Sequence, residues 1–281
     1  MVTAALIVTA DDFGLSADTV NATAECLLAG SVTSASIMAN MPATGPAIEF
    51  ATTHPQFSYG IHFTFVGDGT EKSLSPPDTV PNLVDSAGRF YSTIEILRRA
   101  FLGSVSIQEI ATEARAQVDH LIRNGVRLQF ANAHGNVHKY APFHKALAPI
   151  LREYAIEASR AAQNIWLKRP IHSPGRWLAR SFTRPVAESF VTTRNVFIPT
   201  CMYDRCNLDR LVSLSHLGSL ELGVHPGFDQ SWRDLERWAT GRLFRQLREL
   251  NHRPIGWREF LDHPDTPRPN NTRVDVSRDS E

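Results

Sequence analysis

Short β-branched or aromatic segments alternate with helical patterns along most of this chain, and this alternation limits the possible folds. Strands are predicted at Leu6–Thr9, Ser34–Met38, Tyr59–Phe65, Leu128–Ala133, Ile165–Lys168, Phe197–Met202 and Leu220–Val224. Helices are predicted at Ala17–Leu28, from Ser106 to just before Gly125, at Pro142–Tyr154 and at about Trp232–Leu250. Such alternation favours a mostly parallel sheet, either an open doubly wound sheet or a barrel. Ligands bind at the carboxyl ends of the strands in both architectures.

The charge balance argues against polyanionic partners. The 281 residues include 29 Lys and Arg and 29 Asp and Glu, so no net charge attracts nucleic acid or an anionic membrane. We therefore expect no nucleic-acid partner and a substrate that is not a polyanion. No segment reaches the roughly 18 apolar residues that a membrane-spanning helix requires.

The cysteines and the ends of the sequence predict a cytoplasmic protein with one domain. The three cysteines, Cys26, Cys201 and Cys206, are an odd number for a disulfide framework and lack CxxC spacing, so we expect a reducing compartment. The first residues lack the basic region of a signal peptide. Residues 1–262 are predicted to form the domain and residues 263–281 a polar, flexible tail. The Pro- and Gly-rich residues 67–89 are predicted to form a long loop beside the site.

Two adjacent aspartates, Asp11 and Asp12, directly follow the first predicted strand. One interpretation makes them turn or capping residues before the helix that begins at Ala17. The other makes one carboxylate a cation ligand and its neighbour a base, because a metal ion would remove the repulsion between them. The pair by itself leaves both interpretations open.

Histidines lie at or near the ends of three further predicted strands. His62, in GIHFTF, is either a packed core residue or a ligand. In the segment NAHGNVH, alternate residues of an extended chain would share a face, so we predict that His134, Asn136 and His138 look into one pocket. His225, in LELGVHPG, is either a turn residue or part of the site.

Arg169 follows another predicted strand and is either a contact for a substrate hydroxyl or an ordinary surface arginine. Several common catalytic motifs are absent from the sequence. It contains no G-x-S-x-G elbow, no P-loop and no G-x-G-x-x-G. A nucleophilic serine, a nucleoside triphosphate and a dinucleotide therefore have no support from the sequence.

Four motifs in order, ADDFG, GIHF, NAHGNVH and GVHPG, resemble those of the YdjC-like carbohydrate deacetylase family. The family includes chitooligosaccharide deacetylases and a subgroup associated with hopanoid biosynthesis, and the resemblance runs from about Leu6 to Phe260. It implies an α/β fold, a distorted (β/α) barrel of the polysaccharide-deacetylase type with mostly parallel strands. It further implies one divalent metal ion, Mg²⁺ or Zn²⁺, held by three residues: Asp12, His62 and His134.

The same resemblance implies roles for the remaining candidates. Asp11 would be the base that activates water, and His225 would be the acid. His138 would have a secondary binding or orienting role. Asn136 stands where the family commonly has a histidine, so a difference in substrate specificity or in metal affinity is expected there.

The resulting hypothesis is a metal-dependent hydrolase that removes N-acetyl groups from an N-acetylated sugar, oligosaccharide or glycolipid. One alternative is a metal-dependent hydrolase of another bond, such as a phosphoester. The other is a carbohydrate-binding relative that has lost turnover, for which Asn136 is the hint.

Overall fold

Seven parallel strands form a single sheet in the computed structural model, which describes residues 5–67, 71–165, 189–198, 213 and 218–269. The strands are β1 (Leu6–Phe13), β2 (Ser34–Ile37), β3 (Ser58–Phe63), β4 (Leu128–Ala133), β5 (Ala158–Ser159), β6 (Asn195–Phe197) and β7 (Leu220–Val224). Their order across the sheet is β5-β4-β3-β2-β1-β7-β6. All eight residues of β1 are buried, as expected for a central strand covered on both faces.

Helices connect most of these strands. Numbered within the described part of the chain, they are α1 (Ala17–Leu28), α2 (Thr44–Thr53), α3 (Thr93–Phe101), α4 (Ile107–Arg123), α5 (Ala141–Glu153), α6 (Ser231–Glu249) and α7 (Trp257–Asp262). Short 3₁₀ turns lie at Pro77–Thr79 and His134–Lys139. Among the described residues, no helix is long and apolar enough to cross a membrane.

The two edges of the sheet approach one another. The backbone amides of Asn164 and Ile165, which follow β5, donate to the carbonyl of Val196 in β6 at 3.2 and 3.1 Å. The sheet is therefore curled, and the predicted distorted (β/α) barrel of mostly parallel strands is confirmed.

Local sequence signals explain where the helices begin. At the start of α1, the Ser16 hydroxyl accepts from the Thr19 amide and the Thr19 hydroxyl accepts from the Ser16 amide, which is a capping box. Ser106 caps α4 by accepting from the Glu109 amide, whereas the Glu109 carboxylate accepts from Asn82 instead of completing a capping box. The repeating apolar residues of α4, Ile110, Ala114, Val118 and Leu121, are buried.

Some elements differ from their predictions. The predicted bounds of β4, β7 and α1 agree with the structure, whereas β1 continues past Thr9 to Phe13. The two-residue β5 and the helices α2, α3 and α7 were not predicted. Ile165 is not in a strand, and the rest of that predicted strand lies outside the described residues, as do Cys201 and Cys206.

Of the long segment 67–89, the described residues 67 and 71–89 are largely loop, as predicted, but they include the 3₁₀ turn at Pro77–Thr79 and pack through buried Val80, Leu83 and Val84. The division of the chain at residue 262 stays a prediction. Of the predicted tail, residues 263–269 are described, and the Thr266 hydroxyl there donates to the Phe260 carbonyl.

Candidate active site

A bulge in β1 brings the two adjacent aspartates to the same site. Ala10 pairs with Ala35 and Phe13 with Ile37, so β1 contains one residue more than β2 over this stretch. Asp12 has a left-handed φ of 58°, which only a few residue types adopt readily. Neighbours in a regular strand point to opposite faces, and the bulge removes that alternation. Both carboxylates are buried.

Asp12, His62 and His134 form the cluster that the resemblance implied as metal ligands. Asp12 Oδ1 lies 3.2 Å from His62 Nε2 and 2.9 Å from His134 Nδ1. One ligand atom from each residue lies within 4.8 Å of the others. Burial raises the pKa of Asp12, but the attraction and hydrogen bond of His134 outweigh it and hold that pKa well below its ordinary value.

His62 is prepared to act as a ligand. Its Nδ1 lies 2.7 Å from Asn132 Oδ1, and because an amide oxygen only accepts, Nδ1 carries the hydrogen. Nε2 then has a free lone pair, and this buried atom has no hydrogen-bond partner among the described residues. A metal-binding histidine usually binds through one ring nitrogen while its other ring nitrogen donates a hydrogen bond to a fixed acceptor. The cluster therefore fits a divalent cation.

Asp11 is fixed by an arginine that sequence analysis did not identify. Arg160 Nη1 donates to Asp11 Oδ2 at 2.5 Å, and Arg160 Nη2 donates to Oδ1 at 2.9 Å. Asn132 Nδ2 donates to the same Oδ1 at 2.9 Å. Burial alone would raise the pKa of Asp11, but the charge of Arg160 lowers it far below its ordinary value. Asp11 is therefore a carboxylate at neutral pH.

A second buried carboxylate supports Arg160. Glu221 Oε1 accepts from Arg160 Nε at 3.0 Å and from the Thr9 hydroxyl at 3.0 Å. Arg160 is thus held between two carboxylates in a fully buried position, and its orientation toward Asp11 is fixed.

His225 lies just after β7, on the other side of Asp11. Its Nε2 is 3.8 Å from Asp11 Oδ2, and its Nδ1 is 3.1 Å from Glu236 Oε2 in α6. The His225 backbone amide donates to the same Glu236 oxygen at 2.8 Å. Burial lowers the pKa of His225, but the hydrogen bond and charge of Glu236 outweigh it, so the pKa is raised.

The segment that contains His134 is not extended, so the prediction of one shared face is wrong. Residues His134–Lys139 form a 3₁₀ turn in which Gly135 and Asn136 have left-handed φ values of 61° and 55°. His134 reaches Asp12, whereas His138 turns away and contacts the Arg160 carbonyl through Nε2 at 3.0 Å. Burial lowers the pKa of His138 to about 3, so His138 is neutral and donates from Nε2.

Two predicted site residues remain, Asn136 and Arg169. Asn136 is half-buried in the turn beside His134. Arg169 lies outside the described residues.

Several residues that complete the site were not predicted: Ser36, Asn132, Arg160, Glu221, Arg233 and Glu236. Two of them carried a signal, because Asn132 and Glu221 are polar residues within mostly apolar strands, where a buried polar group needs a partner. Arg233 also carried one, since a cation in the first turn of a helix opposes the helix dipole. Ser36, Arg160 and Glu236 carried none that a single sequence reveals.

The chain is similar to known proteins over most of its length. A YdjC-like protein family model matches residues 5–254. The carbohydrate deacetylase of Halalkalibacterium halodurans is 29% identical over 245 residues, which are 85% of this chain and 92% of that protein. The carbohydrate deacetylase of Geobacillus stearothermophilus is 29% identical over 226 residues, 79% of each protein.

A solved structure supports the fold. A protein from Enterococcus faecalis, named for the cleavage of cellobiose-phosphate, superposes with a TM-score of 0.70 at 21% identity, covering 90% of this chain and 97% of its own. Because the family model spans nearly the whole described sheet and the site motifs, the chain belongs to the YdjC-like protein family.

Proposed function

We propose that this protein is a metal-dependent carbohydrate deacetylase, which hydrolyses the acetamide of an N-acetylated sugar, oligosaccharide or glycolipid. Relatives over most of its length are named carbohydrate deacetylase. The observation that carries the proposal is a cation-binding cluster directly beside a paired carboxylate and histidine: Asp11 Oδ2 lies 3.8 Å from His225 Nε2.

Asp12, His62 and His134 would hold one divalent cation. Two imidazole nitrogens and a carboxylate suit Zn²⁺, whereas Mg²⁺ usually takes more oxygen ligands, and both remain candidates. Such a cation, when bound, polarises the amide carbonyl and acidifies water, contributions worth several kcal/mol.

The remaining chemistry belongs to side chains of this chain. Amide hydrolysis needs a group that takes the proton of the attacking water and a group that protonates the departing amine. Asp11, held ionised by Arg160, is the proposed acceptor. His225, whose pKa Glu236 raises, is the proposed donor. Each such proton transfer is worth typically 10²–10⁴-fold in rate.

The substrate contacts are proposed more broadly. Asn136, beside His134, and Arg169 are candidate contacts for sugar hydroxyls. His138 contacts the Arg160 carbonyl, so we assign it the orienting role rather than direct contact with the sugar.

Acetate release tests the proposal. The purified protein is incubated with a panel of N-acetylated sugars, oligosaccharides and glycolipids, and acetate and new amines are measured. Asp12→Asn is the matched variant, because asparagine tolerates the left-handed backbone at this position. Asp262→Asn is the control, since Asp262 is exposed at the end of α7.

We expect acetate from the wild type and from D262N and none from D12N. Phosphate release from sugar phosphates without acetate would instead indicate a phosphoester hydrolase. Glycan binding without any product would indicate a binding protein.

A further inference from the structure

Arg233 is a buried cation to which the proposed reaction gives no role. It lies in the first turn of α6, and its Nη2 donates to Asp12 Oδ2 at 2.7 Å. A cation at a helix N-terminus opposes the helix dipole, and burial of a guanidinium costs free energy unless it is paired. This position is therefore unfavourable without the Asp12 carboxylate.

The surroundings of Arg233 fix its guanidinium in place. Gln230 Oε1 accepts from Arg233 Nε at 3.3 Å, and the guanidinium lies 4.4 Å from the centre of the Trp232 ring. Gly227 makes room for this side chain, because a Cβ there would lie 2.9 Å from Arg233 Cδ. The glycine of the His-Pro-Gly motif is thus required for the Arg233 side chain to pack closely against the backbone at this position.

The two oxygens of Asp12 have separate partners. Oδ1 faces the histidines, 3.2 Å from His62 Nε2 and 2.9 Å from His134 Nδ1. Oδ2 is occupied by Arg233. The carboxylate therefore offers one oxygen, not two, to the cation-binding cluster.

We propose that Arg233 is a positioning residue that limits Asp12 to cation binding through Oδ1 alone, by occupying Oδ2. The inference rests on the metal site of the proposed function. Without Arg233, Oδ2 is free to become an additional ligand, because carboxylates bind cations through one or both oxygens. Arg233 therefore keeps a coordination position open for water or substrate.

Cobalt absorption measures the coordination directly and independently of activity. Co²⁺ replaces the native metal in the wild type, Arg233→Met, Arg233→Lys and the control Arg237→Met. Arg237 lies one turn further along α6 and pairs with Glu25 and Asp234 instead of Asp12. The visible absorption of Co²⁺ weakens as its coordination number rises.

We expect R233M to lose visible absorption intensity relative to the wild type and R237M. The lysine in R233K retains a charged donor and should restore most of the intensity. Circular dichroism checks that each variant is folded. If R233M does not fold, Arg233→Gln takes its place, and the same loss of Co²⁺ absorption intensity is expected.

An R233M protein with bound Co²⁺ and the wild-type spectrum overturns this inference alone, as does an R233K spectrum identical to that of R233M. A wild type that binds no Co²⁺ overturns the metal site of the proposed function and this inference together.

Discussion

Replacing Glu236 with glutamine should move the pH dependence of the proposed acetate release, because Glu236 raises the pKa of His225. Glu236 is fully buried, and its Oε2 lies 3.1 Å from His225 Nδ1. Glutamine keeps the size and one accepting oxygen but removes the negative charge. The replaced Oε1 has no hydrogen-bond partner among the described residues, so the amide nitrogen breaks no existing bond there.

The distance sets the size of the effect. At 3.1 Å and an effective dielectric constant near 20, the Coulomb attraction is about 5 kcal/mol, which is an upper limit of about 4 pKa units. Measured effects of one close opposite charge are about 1–3 units, and we expect E236Q to lower the pKa of His225 by this amount.

The sign follows from the proposed role of His225 as a proton donor. A raised pKa keeps the donor protonated to a higher pH, and activity is lost as the pH rises through that pKa. In E236Q this alkaline loss should occur about 1–3 pH units lower. The assay is kcat/KM for acetate release across pH, with Glu249→Gln as the control, because Glu249 is exposed on the same helix. An alkaline limb at the wild-type pH in E236Q would refute the reasoning.

Three further predictions concern the buried charges. Asp11→Asn should reduce kcat by about 10²–10⁴-fold while leaving the bound metal in place, and loss of the metal would contradict the separate roles of Asp11 and Asp12. Arg160→Met removes the cation that pairs with Asp11 and Glu221, so it should lower the free energy of unfolding by about 3–5 kcal/mol, measured by urea titration. A decrease below about 1 kcal/mol would contradict this prediction. His138, with its pKa lowered to about 3, gains a proton only in the unfolded chain as the pH falls below about 6.5. As the pH falls from about 6.5 to about 5, the free energy of unfolding of the wild type should therefore decrease by about 2 kcal/mol more than that of His138→Gln. Equal decreases in the two proteins would refute this.

The fold was predictable wherever an element carried its own periodicity or cap. α1 has the capping residue Ser16 before its first turn and α4 has a repeating apolar face, and both helices lie where they were predicted. The edge strand β5 has two residues, too few to show a period, and it is recognised only through its pairing with β4. α2 buries three of its residues and α3 only Ile96, so neither contributes a broad apolar face to the core.

The candidate site was partly predictable because the residues of its cluster lie at the carboxyl ends of strands. Asp12, His62 and His134 come together as expected, since the carboxyl ends of neighbouring parallel strands meet at one edge of the sheet. The bulge at Asp11 and Asp12 was not predictable, because it depends on the register with β2. The turn at Gly135 and Asn136 was also missed, because the alternating histidines suggested an extended chain. In the structure, two left-handed residues in succession turn His138 away from the cluster.

The buried partners were the least predictable part of the site. Arg160 lies 149 residues from Asp11 in sequence, and Glu236 follows His225 by 11 residues on a separate helix. Their roles arise from the curling of the sheet and the placement of α6, which no local pattern encodes.

Metal removal and return during acetate release tests the central claim most directly. The protein is stripped with a chelator, dialysed, and supplied separately with Mg²⁺ and Zn²⁺ in the presence of an N-acetylated oligosaccharide. We predict that stripping abolishes acetate release and that at least one of the two ions restores it, with one new amine for each acetate. Acetate release that persists without metal, or that no divalent ion produces, would contradict the account.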